Sequence, residues 1–313
     1  MRRRATSPCA RLGWLAILGG GITSACSGSP PAPPAADGER AFSHLEAQVA
    51  FGPRVPGSAA SAACREYFLA YLSGRAHRVG LQQWRMPDPY GADTLHLVNL
   101  LAHFHPDRAQ RVLLAAHYDS RPRADRDTGA ARELPVPGAN DGGSGAAILL
   151  EIAAALAGWD PGVGVDLVFF DGEDYGKEGD LEHYLLGSQH FVETMGGYRP
   201  RAMLLLDMVG DTKLRIPMEG NSLRAAPALT QLVFAVAESL GATGFVHSPG
   251  PPVIDDHVPF LRAGIEAVDL IDMDYPEWHT TRDLPPACSS GSLQTVTDVV
   301  LHVLQRLGRL HGG

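Results

Sequence analysis

Four short apolar segments divide the chain into candidate strands and helices. These segments, apolar at most of their consecutive positions, are residues 112–116, 165–170, 203–206 and 267–271. Strands with this pattern are typical of a largely parallel sheet, because both of their faces are buried. Segments with helical spacing of apolar residues are 39–50, 59–73, 143–157, 185–195, 225–240, 256–263 and 290–308. The alternation of strand and helix predicts a layered α/β fold.

Acidic residues and histidines follow each of the four apolar segments. In chain order they are His117 and Asp119, then Asp171, Glu173 and Asp174, then Asp207, and a little later Glu277 and His279. Ligands of open α/β sheets bind outside the carboxyl ends of the strands, so we expect these groups to meet at one edge. Carboxylates and imidazoles that crowd a partly buried edge need a cation among them. Their oxygen and nitrogen atoms are zinc ligands, and the pattern therefore predicts a metal site.

The predicted site is that of a catalytic zinc ion, with three protein ligands and one open position. The sequence has no cysteine pairs at zinc-finger spacing and no H-E-x-x-H helix. Ser144 lies in the segment GGSGA, which lacks the second glycine of a hydrolase nucleophile elbow. These absences argue against a structural zinc site and against a serine hydrolase.

Several of these residues also have an ordinary structural interpretation. His117 could be a solvated histidine at a capped strand end, or Asp119 could orient His117 as a ligand. Asp141 follows a Gly-rich turn at the start of a helix, where an aspartate is also a favoured cap. Asp207 could be a solvated strand end. Each of these alternatives stays open from the sequence alone.

For the remaining candidate residues, the sequence favours one interpretation over the other. Glu173 and Asp174 directly follow a buried strand, which favours a role in catalysis over a place in a solvated acidic loop. One of the two acids could face the substrate and the other the metal ion. Asp256 and His257 open a helix, and we favour a capping role for them. His279 follows the last buried strand at the same sheet edge, so we favour it as a ligand.

Composition and charge limit the partners of the protein. The chain has 313 residues, of which 45% are hydrophobic and 19% are charged, a mixture typical of globular domains. Its formal net charge is -9, which argues against nucleic acid or an anionic membrane surface as the main partner. We expect a monomer.

The amino terminus has the features of an export signal over residues 1–26. Three arginines precede an apolar stretch, and Thr23-Ser24-Ala25-Cys26 follows. This arrangement resembles a bacterial lipoprotein signal with Cys26 as the lipidated residue, although Thr23 replaces the usual aliphatic residue. An ordinary cleaved signal and an uncleaved tether are the alternatives. We therefore expect a periplasmic or envelope-anchored protein, with the membrane contacted only through this possible lipid.

The remaining chain is expected to form a linker and one domain. Residues 27–38 are a linker rich in Pro, Ala and Ser, and residues 39–313 form a single catalytic domain. Cys64 and Cys288 could pair in an oxidising compartment, or could be a buried small residue and a loop thiol.

The ordered motifs resemble those of the M28-type zinc exopeptidases. They are HYDS, GANDGGSG, FFDGED, LLLDMVGD and EWHTTRD, beginning at His117, Gly138, Phe169, Leu204 and Glu277. Two further segments, FGPRVPGS from Phe51 and IDDHVPFL from Ile254, are similar to the animal-type glutaminyl cyclases and their bacterial relatives. The resemblance covers about residues 42–308. It implies the phosphorylase/hydrolase-like fold of the zinc exopeptidases, a three-layer α/β/α arrangement with a mixed, largely parallel sheet.

The resemblance also implies roles for individual residues. Asp141, Asp174 and His279 would hold one zinc ion, and Glu173 would be the general acid/base. Asp207 and Asp255 would form an acidic pair beside it. Trp278 would line the substrate pocket, and Tyr275 is a second candidate for this role. The implied reaction converts the N-terminal glutamine of peptides or proteins to pyroglutamate and releases ammonia.

Two alternatives accompany this prediction. A two-zinc aminopeptidase of the same family would use five ligands, namely His117, Asp141, Asp174, Asp207 and His279. A non-enzymatic binding protein would be expected if the base or a ligand were missing, and none is. The sequence also departs from the animal cyclases, because Asp174 replaces a glutamate and the loop before His279 is one residue shorter.

Overall fold

The computed structural model describes residues 31–310, in which a six-stranded sheet lies between two layers of helices. The strands are β1 (Arg78–Pro87), β2 (Thr94–Phe104), β3 (Arg111–His117), β4 (Gly164–Phe170), β5 (Ala202–Asp207), β6 (Ile216–Met218), β7 (Phe245–Pro249) and β8 (Ala267–Ile271). The helices are α1 (Gly38–Ala50), α2 (Ala59–Ser73), α3 (Gly143–Leu156), α4 (Leu186–Thr194), α5 (Gly220–Ala225), α6 (Pro227–Ser239), α7 (His257–Arg262) and α8 (Ser290–Arg309).

The main sheet has the strand order β1-β2-β4-β3-β5-β8. Strands β4, β3, β5 and β8 are parallel, whereas β1 and β2 pair antiparallel at one side. The four parallel strands are the four apolar segments of the sequence. Their carboxyl ends therefore lie along one edge of the sheet, and the predicted three-layer α/β/α fold with a mixed, largely parallel sheet is confirmed.

Alternate residues of the parallel strands are buried in opposite helix layers. In β3, Leu114 and Ala116 belong to the core shared with α1, α2, α3, α6 and α8. Leu113 and Ala115 belong to the core shared with α4 and α7. Successive side chains of a strand point to opposite faces, so a strand covered on both faces is apolar throughout.

Strands β1 and β2 lie outside the four apolar segments, so the sequence pattern did not predict them. Strand β1 lies at the edge of the sheet, where its residues are exposed or half-buried rather than fully buried. An edge strand of this kind carries too few apolar residues to stand out in the sequence. The predicted helix 225–240 corresponds to α6, which begins two residues later because Pro227 occupies its first turn. A short helix that was not predicted, α5, ends just before it at Ala225.

The predicted linker is packed against the domain where the structure describes it. The Pro31 carbonyl accepts hydrogen bonds from Trp159 Nε1 at 3.1 Å and from Gln305 Nε2 at 2.7 Å. The predicted export signal, including Cys26, lies outside the described residues. Within residues 31–310, no helix is both long enough and apolar enough to cross a bilayer. Cys64 and Cys288 are both buried and unpaired.

Asp166 in β4 is a buried carboxylate held by a set of hydrogen bonds. Arg111 donates to it through Nε and Nη2, both at 2.6 Å, and the Tyr198 hydroxyl donates at 2.6 Å. Burial acts against the charge, but the hydrogen bonds with His103, Arg111 and Tyr198 lower the pKa of Asp166 overall. A lowered folded-state pKa stabilises the fold above the unfolded-state pKa.

The Asp166→Asn variant is expected to be less stable than the parent near neutral pH. The difference should persist down to about pH 4, the ordinary pKa of aspartate, and disappear as the pH falls through the lowered pKa of Asp166. Denaturant unfolding at a series of pH values measures it. A stability difference that grows in acid would contradict this assignment.

Candidate active site

The carboxyl ends of the parallel strands bring the predicted site residues together. His117 ends β3, Glu173 and Asp174 follow β4, and Asp207 ends β5. Asp141 precedes α3, and His279 lies in the loop after β8. Two sets of three side chains at this edge place potential ligand atoms within 4.8 Å of one another, and both sets include Asp141.

The first set consists of Asp141, Asp174 and His279. His279 Nε2 lies 3.8 Å from Asp141 Oδ2 and 3.5 Å from Asp174 Oδ2. These two carboxylate oxygens are buried and have no hydrogen-bond partner. Buried carboxylate oxygens are rarely left without a partner, and two that face one imidazole nitrogen fit a zinc ion between them.

The second set consists of His117, Asp141 and Asp207. His117 Nε2 lies 3.1 Å from Asp207 Oδ1 and 3.2 Å from Asp141 Oδ1, so these side chains already satisfy one another. Burial acts against a charged imidazole, but hydrogen bonds with Asp119, Asp141 and Asp207 raise the pKa of His117 well above its ordinary value.

The Gly-rich turn before α3 allows Asp141 to approach both sets. Gly142 has φ +81°, and a Cβ there would lie 2.8 Å from His117 Cε1. A Cβ on Gly145 would overlap the carbonyl oxygen of Leu206 in β5. The residue at the helix cap position is Gly142, without a side-chain hydrogen bond, so Asp141 does not act as the cap. Glycine is required here because the turn packs directly on the ends of β3 and β5.

Asp283 holds the backbone of the same turn. It accepts hydrogen bonds from the backbone N–H groups of Asn140 at 2.8 Å and Asp141 at 3.1 Å. The hydroxyl of Tyr275 donates to Asp283 at 2.7 Å, and the Tyr275 ring packs with Met208 and Ile271. Tyr275 is only 4% exposed, which leaves little of its ring for the substrate contact that we predicted.

Asp119 and Arg121 hold the acidic loop after β4. Asp119 accepts from the backbone N–H of Glu173 at 3.1 Å and of Asp174 at 3.2 Å, and it lies 3.3 Å from His117 Nδ1. The buried guanidinium of Arg121 forms ion pairs with Asp174 and Asp125. One oxygen of Asp174 is therefore bound to Arg121 and the other faces His279.

His279 is held in a strained conformation beside Trp278. Its φ of 57° lies in the left-handed region, which is costly for a residue with a Cβ. Its Nδ1 atom lies 3.2 Å from Asp125 Oδ1, and its ring lies 4.1 Å from the Trp278 ring, centroid to centroid. A carboxylate on the second ring nitrogen orients a histidine ligand and leaves Nε2 for the metal.

Glu173, Asp207 and Asp255 are buried carboxylates next to these ligands. Burial raises the pKa of Glu173 well above its ordinary value, and the charges of Asp174 and Asp255 add to this effect against the charge of His117. Burial and the charge of Asp207 raise the pKa of Asp255, and burial raises that of Asp207 despite its bond with His117. A carboxyl group whose pKa is raised in this way can take part in proton transfer.

The predicted capping role of Asp256 and His257 is wrong. Asp256 precedes α7 but makes no side-chain cap, and instead accepts a hydrogen bond from Ser188. His257 is fully buried, 3.2 Å from Glu219 and 3.6 Å from Asp269. A helix of one and a half turns packed into the core has its first residues shielded from water, so these polar groups bind other buried side chains.

Arg121, Asp125 and Asp283 are site residues that the sequence did not single out. All three lie in loops that have no helical or strand periodicity, so only their contacts reveal them. Asp283 does lie in the EWHTTRD motif, four residues after His279. A carboxylate this close to a predicted metal ligand is the sequence feature that could have identified Asp283 as a site residue.

The Asp125→Asn variant is expected to bind zinc about 10- to 100-fold more weakly, because Asp125 orients His279 and the asparagine carries no charge. Competition with a chromophoric chelator measures the affinity. The matched control is Asp107→Asn, an exposed aspartate for which zinc affinity should not change. Equal affinities in both variants would remove Asp125 from the site.

Arg54 connects the Gly-rich turn to the end of β3. Its buried guanidinium donates to the carbonyls of Tyr118 at 2.9 Å, Pro137 at 2.8 Å and Gly138 at 2.6 Å. The FGPRVPGS segment therefore contributes to the framework of the site from a distant part of the chain.

The Arg54→Gln variant is expected to lose about 3 kcal/mol of unfolding free energy, because three buried carbonyls lose a charged donor. Denaturant unfolding checks this value against Arg85→Gln, an exposed position in β1. A loss of equal size in both variants would show that the carbonyl contacts of Arg54 contribute little.

Comparisons with known proteins agree with this geometry. The family model for Peptidase family M28 matches residues 99–304. The mouse glutaminyl-peptide cyclotransferase-like protein is 28% identical over 268 residues, which cover 74% of this chain and 66% of that protein, slightly less than two thirds of its length. The resemblance to M28 exopeptidases and glutaminyl cyclases is thereby confirmed.

Solved structures of both kinds of enzyme share the fold. The crystal structure of Porphyromonas gingivalis glutaminyl cyclase has a TM-score of 0.83 and 36% identity, and the match covers 87% of this chain and 99% of that one. A leucine aminopeptidase precursor from Bacteroides thetaiotaomicron has a TM-score of 0.83 and 34% identity, with 87% and 98% covered.

Proposed function

The chain belongs to peptidase family M28, and from that membership we propose that it is a zinc-dependent glutaminyl-peptide cyclotransferase. Its substrates are peptides or proteins that begin with glutamine, and its products are the pyroglutamyl peptide and ammonia. The observation that carries the proposal is the pair of unpartnered oxygens of Asp141 and Asp174 that face His279, beside the buried Glu173.

In this proposal Asp141, Asp174 and His279 hold one zinc ion. When bound, the ion supplies Lewis-acid polarisation of the glutamine side-chain carbonyl. The first set of ligands has the unpartnered atoms that a cation needs, whereas His117 and Asp207 are hydrogen-bonded to each other. That difference favours one ion over two.

Glu173 moves the proton during cyclisation. It accepts a proton from the α-amine as the amine nitrogen forms a bond with the side-chain amide carbon. It then donates that proton to the departing nitrogen as the old carbon–nitrogen bond breaks, and ammonia leaves. No water is consumed. The pKa of Glu173, raised by burial and by the charges of Asp174 and Asp255, suits the first role, because a more basic carboxylate is a better proton acceptor.

Trp278 is suited to line the pocket for the glutamine side chain. It is partly exposed, and its ring lies against the ring of His279. Burial and the charge of Asp207 raise the pKa of Asp255, and we assign both carboxylates to the support of proton transfer by Glu173.

A two-zinc aminopeptidase is the second candidate, because Asp141 is shared by two sets of potential ligands. Incubation with a glutamine-initiated peptide separates the two functions. Cyclisation lowers the peptide mass by about 17 daltons, the mass of ammonia, whereas a peptidase releases free glutamine. Zinc content of about one ion per chain supports the cyclase, and about two ions supports the peptidase.

A further inference from the structure

Arg126 lies at the rim of the candidate site. Its guanidinium carbon is 4.6 Å from the centroid of the Trp278 ring, and the residue is exposed. Trp278 in turn packs on His279 with the two ring planes tilted by 39°, so the indole contacts both the arginine and the imidazole. The exposed cation is therefore placed next to the ring that we assign to the pocket.

The backbone of Arg126 is fixed from both sides. Its N–H donates to the carbonyl of His279 at 3.2 Å. The preceding Asp125 binds His279 and Arg121, and the following Asp127 accepts hydrogen bonds from Thr281 and Arg282. The backbone position of Arg126 is thus set by the same contacts that hold His279, and the guanidinium is placed by its contact with the Trp278 ring.

The guanidinium itself has no carboxylate partner within residues 31–310. Arg121 and Arg282, its neighbours at the site, are each paired with an aspartate. An unpaired arginine stacked on an aromatic ring keeps its in-plane N–H groups available, in the fork geometry that binds carboxylates.

We propose that Arg126, stacked on Trp278, binds a carboxylate of the substrate beyond its N-terminal glutamine. Peptides with aspartate or glutamate at the second or third position are then the preferred substrates. This inference rests on the proposed cyclotransferase activity, because a glutamine seated against Trp278 directs the rest of the peptide outward past the rim.

The test compares two amidated peptides, Gln-Glu-Phe and Gln-Gln-Phe, which differ only in the charge of the second residue. At low ionic strength the enzyme should have a kcat/KM about two- to fivefold higher for the glutamyl peptide, as expected for an exposed ion pair. The difference should lie in KM and should shrink as salt is added.

Three variants test whether Arg126 causes the preference for the glutamyl peptide. Arg126→Gln should bring the ratio of the two kcat/KM values to about one. Arg126→Lys, which keeps the charge but loses the planar stack, should retain part of the ratio. Arg85→Gln makes the same change in net charge at an exposed site in β1 and should leave the ratio unchanged.

The inference is overturned if the parent enzyme shows no preference, or if Arg126→Gln lowers kcat/KM equally for both peptides. The second result would mean that Arg126 has a structural role in its loop and does not select the substrate. Failure of the cyclotransferase proposal looks different, because neither peptide would then lose ammonia.

Discussion

Replacement of Glu173 by glutamine is expected to slow cyclisation by about 10²- to 10⁴-fold, the usual contribution of a general acid/base. Glutamine has the shape of glutamate but cannot accept a proton from the attacking amine. Since Glu173 is not among the proposed ligands, zinc content should remain at the level of the parent enzyme. The measurement is ammonia release from a glutamine-initiated peptide, together with metal analysis of the same preparation.

Glu178→Gln is the matched control for this variant. Glu178 is exposed in the same loop after β4 and should be dispensable for activity. Retention of full activity by Glu173→Gln would remove Glu173 from the mechanism. Loss of zinc along with activity would instead make Glu173 part of the metal site.

Replacement of His279 by alanine is expected to abolish stable zinc binding and, with it, activity. His279 Nε2 is the one nitrogen atom in the first set of potential ligands, and it lies opposite the unpartnered oxygens of Asp141 and Asp174. With two carboxylates left, the site falls below the three protein ligands of a catalytic zinc site. Metal analysis after gel filtration and chelator competition measure the loss.

His96→Ala, at an exposed position in β2, is the control for a general effect of removing a histidine. Circular dichroism shows whether His279→Ala is folded. A folded His279→Ala protein that binds zinc with the affinity of the parent would disprove the proposed ligand set. In that case His117, Asp141 and Asp207 would become the metal site.

The position of the site could be predicted from the sequence because it depends on strand ends. His117 and Asp207 terminate strands that are buried on both faces, and such strands are visible as apolar runs. The carboxyl ends of parallel strands share an edge, so the meeting of these residues follows from topology. The Gly-rich turn likewise predicted a close approach at Asp141.

The supporting contacts could not be predicted in this way. Asp125 and Arg121 lie in a loop without periodicity, and their partners are set by where that loop folds. Asp283 binds backbone groups of Asn140 and Asp141, far away in the chain, and no local pattern encodes such a pairing. The burial of Tyr275 was missed for a related reason, because it depends on the packing of Met208 and Ile271.

The contact between Pro31 and Trp159 fixes where the chain enters the domain. Trp159 precedes β4 and Glu173 follows it, so this contact lies at the edge of the sheet opposite the catalytic groups. The entering segment therefore leaves the catalytic edge of the sheet uncovered, and a fusion or tether attached ahead of Pro31 would not need to cross the pocket.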